Sequence, residues 1–465
     1  MPQNRKLHSI SGLWLLSAMV ASTLLLPGIA PGQERAAPES KPRPRIPIYD
    51  PGTPVQKKVL KNGVTILVQE QRTSERVAGA VAVRMGTMYE ADEDAGRGQV
   101  LIKSMVSGTQ DHPPAELALR ILAADAGVES GAGPDLGQIT ISTKRERTDQ
   151  AIDLLAEIAL HPSFPDTAVE GSRQRALTKA AFENESPIKA TYSMYLASMF
   201  RGSPLARPVT GTVQGIADVR RKDMVELYQK TFVGGNMVVC FVGNFDGKKV
   251  LTRLEKAFAA APSGAALKPV LGEPIPLAAD TAVTAERDFA ASCLVYGYAA
   301  PGYTERDYPA FSIIESYLAS SDRSPIAFWM PQSGLATAVG VVYAPYPKRS
   351  AIAVYLAAMP SRLTAARDTV AAVMGRLRTN PLDDGEWGEQ VKRVQNSVFA
   401  NQNDPLVRAR SMSQYETAGL GYDFLRRYEQ SLLELTPESV RAAAARWFTH
   451  ASEATLTRAK EDSKL

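Results

Sequence analysis

The chain has 465 residues, of which 45% are hydrophobic and 22% charged, and its formal net charge is +4. This composition predicts a globular protein, and the weak charge without a basic cluster interleaved with aromatic residues argues against nucleic acid as a partner. Once an N-terminal leader is removed, about 430 residues remain, too many for one hydrophobic core, so two domains are expected.

The N-terminal segment has the pattern of a secretory signal peptide. Arg5 and Lys6 precede an apolar run at 13–26, and small residues follow it. We therefore predict a signal peptide over residues 1–32, export, and a periplasmic location, because the signal is of the bacterial type. The apolar run is shorter than the ~20 residues of a membrane span, so no span is expected after signal removal; a retained N-terminal anchor is the alternative. Residues 33–55, rich in Pro, Arg and Lys, predict an extended arm.

The remainder of the chain repeats itself once. Tyr89 and Tyr303 each lie between a strand candidate and a helix candidate, 214 residues apart; Phe232 and Phe448 each end an amphipathic helix that runs into a strand, 216 residues apart. Two offsets that agree so closely indicate one duplicated unit. A Pro/Gly/Ala-rich stretch separates the copies and reads as a linker. The predicted organisation is therefore an N-terminal domain at 56–261, a linker at 262–282 and a C-terminal domain at 283–465.

Periodicity and turn signals define the elements of the first copy in chain order. Strands alternate polar and apolar residues, helices repeat apolar residues every three to four positions, and Gly and Pro mark the ends. The predicted strands are 64–68, 79–85, 128–132, 138–143 and 237–242, and the predicted helices are 96–106, 114–126, 151–160, 166–184, 190–200 and 223–232. Helices segregated between antiparallel strands predict an α+β fold: two homologous domains, each a mostly antiparallel sheet backed by helices.

The two cysteines, Cys240 and Cys293, each lie in a strand-like apolar run, one in each copy. We interpret them as buried thiols in separate domains. A disulfide between them is the alternative in an exported protein.

Four short motifs and one helix carry a resemblance to a known family. The segment 96–109 begins at Gly96 and ends in Gly108-Thr109. It resembles the active-site helix of the insulinase-like (pitrilysin, M16-type) zinc peptidases, in which a Gly opens and a Gly-Thr closes the segment. Weaker matches follow in the family's order and span nearly all of the mature chain: 161–165, 207–212, 237–244 and 334–336.

In that family the helix carries an inverted zinc motif, H-x-x-E-H, whose two His bind Zn²⁺ while the Glu acts as general base. Aligned on Gly96 and Gly108, the two His positions fall on Gln99 and Lys103, and the Glu position falls on Ile102. The family's third ligand, a Glu on a later helix, falls within 175–181, where Thr178, Lys179 and Ala180 align best and none is a ligand; Glu183 lies one turn further on. The resemblance therefore implies no metal site and no cofactor in this chain, and zinc in a partner.

The number and spacing of the histidines also argue against a zinc site in this chain. After signal removal only His112, His161 and His450 remain, and no two of them lie four residues apart. His112 and His161 each precede a Pro, which is typical of solvent-facing ends of elements. A two-His zinc site would have to be assembled from distant loops.

The residues that would contact a substrate also depart from the family. The Arg and Tyr with which the second domain grips substrate in this family fall on Met330 and Thr337. The remaining candidate for peptide contact is an edge strand, which can pair its backbone groups with an extended peptide. Its residues are Val128, Glu129, Ser130, Gly131 and Ala132.

The resemblance implies a catalytically inactive homologue that pairs, as a heterodimer or larger assembly, with a homologous zinc-bearing subunit to enclose a chamber that degrades peptides. One alternative is a purely structural protein, like the core subunits of a respiratory complex that the family includes. A second alternative is an active metallopeptidase with displaced ligands.

Overall fold

The computed structural model describes residues 53–270, 276–289, 291–319, 323–399 and 402–458. The predicted signal peptide and most of the predicted arm lie outside these residues. In the first half the helices and strands are β1 (Gln56–Val59), β2 (Thr65–Glu70), β3 (Arg76–Val83), α1 (Arg97–Met105), α2 (Pro114–Ala123), β4 (Gly127–Ala132), β5 (Gly137–Lys144), α3 (Thr148–Leu160), α4 (Asp166–Glu185), α5 (Pro187–Met199), α6 (Val213–Ala217), α7 (Arg221–Thr231), β6 (Met237–Gly243) and α8 (Gly247–Phe258).

The second half repeats the same kinds of element. They are β7 (Thr281–Arg287), β8 (Ser292–Pro301), α9 (Tyr308–Ala319), α10 (Trp329–Gln332), β9 (Ala338–Tyr343), β10 (Arg349–Ala358), α11 (Leu363–Thr379), α12 (Asp384–Phe399), α13 (Pro405–Thr417), α14 (Phe424–Leu433), α15 (Pro437–Trp447) and β11 (Ala451–Arg458). No helix in the described part of the chain is both long and apolar enough to cross a membrane.

The two halves build sheets of the same design. The first sheet has the order β4-β5-β3-β6-β2-β1 and the second has the order β9-β10-β8-β11-β7. Neighbours pair antiparallel, except that β2 pairs parallel with β6 and β7 pairs parallel with β11. Counted from β4 and β9, five strands of the two sheets correspond one to one, and β1 is an additional strand at the far edge of the first sheet. This confirms the predicted α+β fold of two homologous domains.

Each sheet is covered on both faces, and the alternation of side chains along its strands shows why. In β6 every residue is buried: Val239 and Phe241 face the main core of the first half, while Val238 and Cys240 face the opposite layer. A strand with apolar residues on both faces must be covered twice. Cys240 and Cys293 are buried free thiols in separate sheets, as the sequence predicts, and burial raises the pKa of both.

The second layer on each sheet comes from the other half of the chain. Helix α5 packs on β8 and β11, and helix α13 packs on β3 and β6. On α13 the fully buried Ala409 lies against the first sheet, and the buried Arg408 donates from Nε to Gln69 Oε1 at 2.6 Å. Because β3 corresponds to β8 and β6 to β11, the exchange of helices is reciprocal. Each half therefore completes the core of the other.

A cavity of about 60 Å³ lies where the halves meet, and the repeat-related Tyr89 and Tyr303 both line it. Tyr303 donates to Asp135 Oδ2 at 2.9 Å, and burial raises the pKa of that carboxyl.

Tyr303→Phe is expected to lower the free energy of unfolding by about 1–3 kcal/mol, because it removes the hydroxyl that donates a hydrogen bond to Asp135. Urea denaturation measures the loss. Tyr89→Phe, in the same cavity, is the matched control; equal losses in both variants would contradict a role for the hydrogen bond.

The carboxyl of Glu315 on α9 makes the stability of the second half depend on pH. It accepts the backbone N–H of Tyr343, and burial raises its pKa to about 8. In the unfolded chain the ordinary value of 4.5 applies, so the folded state binds the proton more tightly and stability falls as pH rises from about 4.5 to about 8. Glu315→Gln is expected to be more stable than the parent protein by about 2 kcal/mol or more at pH 8, and equal to it near pH 4. Thermal denaturation at both pH values checks this, with the exposed Glu305→Gln as control. Parallel pH profiles of the two proteins would contradict it.

Candidate functional site

Helix α1 is anchored at its first turn by a carboxylate that sequence reasoning did not single out. Glu90 accepts the backbone N–H of Gly96 at 2.8 Å and that of Gly98 at 2.7 Å. Burial raises the pKa of this carboxyl, and these two hydrogen bonds together with the charge of Arg207 oppose the rise. A carboxylate at a helix N-terminus satisfies amides that have no partner within the helix. Nothing in the sequence separates Glu90 from Asp92, Glu93 and Asp94, which lie closer to the glycine at which the helix begins.

A second anchor is a loop that the family resemblance also picked out. Arg207 donates to the carbonyls of Thr87, Glu90 and Ala91 at 2.7–2.9 Å. Within the same loop, Gly211 lies so close to Gly96 that an added Cβ would come within 2.3 Å of its Cα. Only glycine tolerates that approach and the positive φ found at both positions. The loop therefore fixes where α1 begins.

The three positions that correspond to the zinc motif lie together on α1, beside the edge strand β4. Gln99 donates from Nε2 to the carbonyl of Ala132 at 2.5 Å, and the Lys103 ammonium donates to the carbonyl of Ser130. Ile102 is fully buried in the main core of the first half. Two side chains of α1 thus donate hydrogen bonds to the backbone of β4, and the residue at the general-base position is an aliphatic side chain of the core.

The two acceptor carbonyls belong to the outer edge of the sheet. Gly133 N–H donates to Leu136 O at 2.6 Å, which makes this a hydrogen-bonded pair of the β4–β5 hairpin. Hydrogen-bonded and non-bonded pairs alternate along an antiparallel ladder, so Ser130 and Ala132 direct their N–H and C=O groups away from β5. An extended peptide that added to this edge would meet carbonyls already occupied by side chains of α1.

Positive charge surrounds these positions. Lys179, at the third ligand position, and Arg175 are exposed on α4, which packs against α1. Burial lowers the pKa of the Lys103 ammonium; the charge of Glu129 opposes this, and those of Lys179 and Arg175 add to it. Lys103, Lys179 and Arg175 therefore lie close enough to repel one another electrostatically.

This set of donors does not fit Zn²⁺. An ammonium has no lone pair to offer a metal ion and repels it, and Gln99 is engaged with the strand. The nearest alternative ligand, Glu183, accepts from Thr210 Oγ1 at 2.5 Å and lies 3.5 Å from Lys189 Nζ. Among the described residues, no three His, Cys, Asp or Glu side chains come together in a way that would hold a metal ion.

The substrate-grip positions and the remaining edge residues have other surroundings. Met330 is a buried core residue of the second half, and Thr337 donates from Oγ1 to Ala357 O at 3.1 Å just before β9. Glu129 accepts from an Arg410 guanidinium of α13. Val128 is partly buried against the main core and Gly131 is buried.

The expectation for His112 is wrong. Its side chain is only 17% exposed, and Nδ1 lies 2.7 Å from Glu157 Oε1, an oxygen that also accepts from Thr109 Oγ1 at 2.5 Å. Thr109 and His112 lie in the turn that follows α1, and both contact Glu157 because α3 packs against this turn. His161 is exposed, as the sequence predicts.

Comparison with known proteins gives a consistent assignment. Residues 65–213 match the family model described as insulinase (peptidase family M16), and residues 218–394 match the model described as peptidase M16 inactive domain. An uncharacterized zinc protease from Rickettsia felis is 22% identical over 205 residues, which cover 44% of this chain and 50% of that protein. Subunit 1 of the mitochondrial cytochrome b-c1 complex from Bos taurus is 24% identical over 200 residues, 43% of this chain and 41% of that protein. The matches thus span about half the length of these curated relatives.

The fold is also found among solved structures. A protease from Helicobacter pylori superposes with a TM-score of 0.81 at 17% identity, over 87% of this chain and 99% of that one. The two models belong to one family and together cover most of the described chain, including most strands of both sheets and the segment at α1. The chain is therefore a member of the M16 (insulinase) peptidase family.

Proposed function

We propose that this chain is a catalytically inactive M16 homologue, exported to the periplasm, that serves as the non-catalytic partner of a homologous zinc-bearing subunit. Together the two subunits enclose a chamber in which peptides are degraded. In this assembly the zinc belongs to the partner, and the present chain supplies part of the chamber wall.

The surroundings of Gln99, Ile102 and Lys103 carry the proposal. A hydrolytic zinc site needs deprotonated ligands, an open coordination position and a base within reach of the bound water. Here one ligand position is a cation, another is an amide bonded to the strand, and the base position is a side chain in the core. A scaffold that retains its helix, loop and edge strand without these groups supports a role in shape and contact rather than in bond cleavage.

The test is co-expression with a homologous chain that retains H-x-x-E-H, followed by affinity purification of either subunit. We expect a stable complex, zinc in the partner alone, and cleavage of an internally quenched peptide by the pair but not by this chain. A partner whose motif glutamate is changed to glutamine serves as the control for activity. Peptide cleavage by the isolated chain that a chelator abolishes would overturn the proposal and favour displaced ligands.

A purely structural role is the second candidate, and the similarity to a cytochrome b-c1 complex subunit favours it. The same purification separates the two. A complex that contains the homologous zinc-bearing subunit supports the peptidase partner. Recovery in a membrane assembly, with no peptidase activity in any fraction that contains the chain, supports the structural role.

A further inference from the structure

We propose that the cluster of Gln99, Lys103, Ser130, Arg175 and Lys179, called here the cationic site, binds an oxyanion: a carboxylate or a phosphate. The inference goes beyond the proposed function, because it concerns a ligand of this chain alone. It starts from the disagreement between the family's zinc position and the groups that occupy it.

The first argument is charge. Lys103 and Lys179 stand at two of the three ligand positions, and Arg175 lies one helical turn before Lys179. The nearby acids are engaged: Glu129 with Arg410, and Glu183 with Thr210 and Lys189. The field at the site is therefore positive, which attracts an anion and repels a divalent cation.

The second argument is the direction of the backbone donors. Ser130 and Ala132 turn their N–H groups toward the outer edge of β4, on the side where Lys103 and Gln99 bond their carbonyls. The two side chains cover the carbonyls of Ser130 and Ala132, so this part of the edge presents its N–H donors next to the cations. Donors of this kind, combined with a positive charge, form strong hydrogen bonds to carboxylate and phosphate oxygens.

The third argument is a hydroxyl without a hydrogen-bond partner. Ser130 is 2% exposed, and its Oγ makes no hydrogen bond in the described structure. Its side chain lies on the helix-facing side of β4, as do those of Val128 and Ala132, which pack against the main core. A buried hydroxyl without a partner costs free energy. An oxyanion held by Lys103 would accept the proton of this hydroxyl.

The experiment measures binding to the full chain without a partner subunit, so its failure is distinct from failure of the proposed function. The probes are inorganic phosphate, by calorimetry, and a fluorescein-labelled peptide with a free C-terminal carboxylate, by anisotropy; the same peptide with a C-terminal amide is the reference. We expect saturable binding that weakens as salt rises. Binding of phosphate alone identifies a free-phosphate site, and binding of the acid peptide but not the amide identifies a peptide carboxylate.

Three variants connect the binding to the cationic site. The exposed Lys179→Met, which leaves the core untouched, is expected to weaken binding about tenfold, whereas Lys392→Met on α12 leaves it unchanged. Ser130→Ala is expected to weaken binding about threefold without lowering the melting temperature, because the hydroxyl has no partner to lose. A structural role for Ser130 would lower stability instead. The proposal is overturned if neither probe binds saturably, or if Lys179→Met binds as tightly as the parent protein.

Discussion

Replacing Ile102 with glutamate, the residue of the active family motif, is expected to lower the free energy of unfolding by about 3–5 kcal/mol. Ile102 is fully buried among the core side chains that join α1 to the first sheet. Burial among apolar side chains disfavours the charged form of a carboxyl group, so its pKa in the folded state rises and the loss grows as pH increases above its value in the unfolded chain. Urea denaturation at pH 5 and pH 8 measures both effects.

Ile102→Val is the matched control and is expected to cost only about 1 kcal/mol, since it removes one methylene from the same position. A loss below 1 kcal/mol for Ile102→Glu, independent of pH, would show that the position opens to water, as a general base requires. That outcome would contradict the assignment of this position to the core and remove one of the three observations behind the proposed inactivity.

The second large effect concerns α13, the helix of the second half that packs on the first sheet. Ala409→Asp is expected to lower the free energy of unfolding by about 3 kcal/mol or more, because the new carboxylate faces the apolar layer formed with Val238 and Cys240. The first sheet would lose its cover, so binding of a hydrophobic dye should rise together with the loss measured in urea.

The control for this variant is Ala365→Asp, an exposed position on α11, where a change within about 0.5 kcal/mol is expected. If Ala409→Asp unfolded the second half alone and left the first half at its original stability, the reciprocal exchange of helices would not be a source of stability. Hydrogen exchange of the amides in β3 and β6 separates these outcomes.

Much of the fold is predictable because the signals are local. Alternating apolar residues predict β5, and glycine at its ends predicts the bounds of α1; the observed strands and helices begin and end close to the predicted positions. The two sheets follow from the repeat, since a duplicated sequence folds twice into the same unit. The domain boundaries and the signal peptide stay predictions.

Part of the candidate site could also be predicted from the sequence, and part could not. That Gln99, Ile102 and Lys103 stand where the family has its zinc motif follows from the resemblance, once the segment is aligned on Gly96 and Gly108. The bonds from Gln99 and Lys103 to β4 are not legible, because they join residues about 30 positions apart through the packing of α1 on the sheet edge. The partly buried position of His112 is not predictable for the same reason, since its partner Glu157 lies 45 residues further along the chain.

The sequence by itself therefore determined the duplicated α+β architecture and the resemblance to the family, since both are matters of residue type and spacing. Only the tertiary structure decided that each half is covered by a helix of the other, that Glu90 anchors α1, and that Gln99 and Lys103 bond carbonyls of the edge strand. These features depend on long-range packing, where free energy is gained by burying apolar faces and satisfying polar groups that lie far apart in the chain.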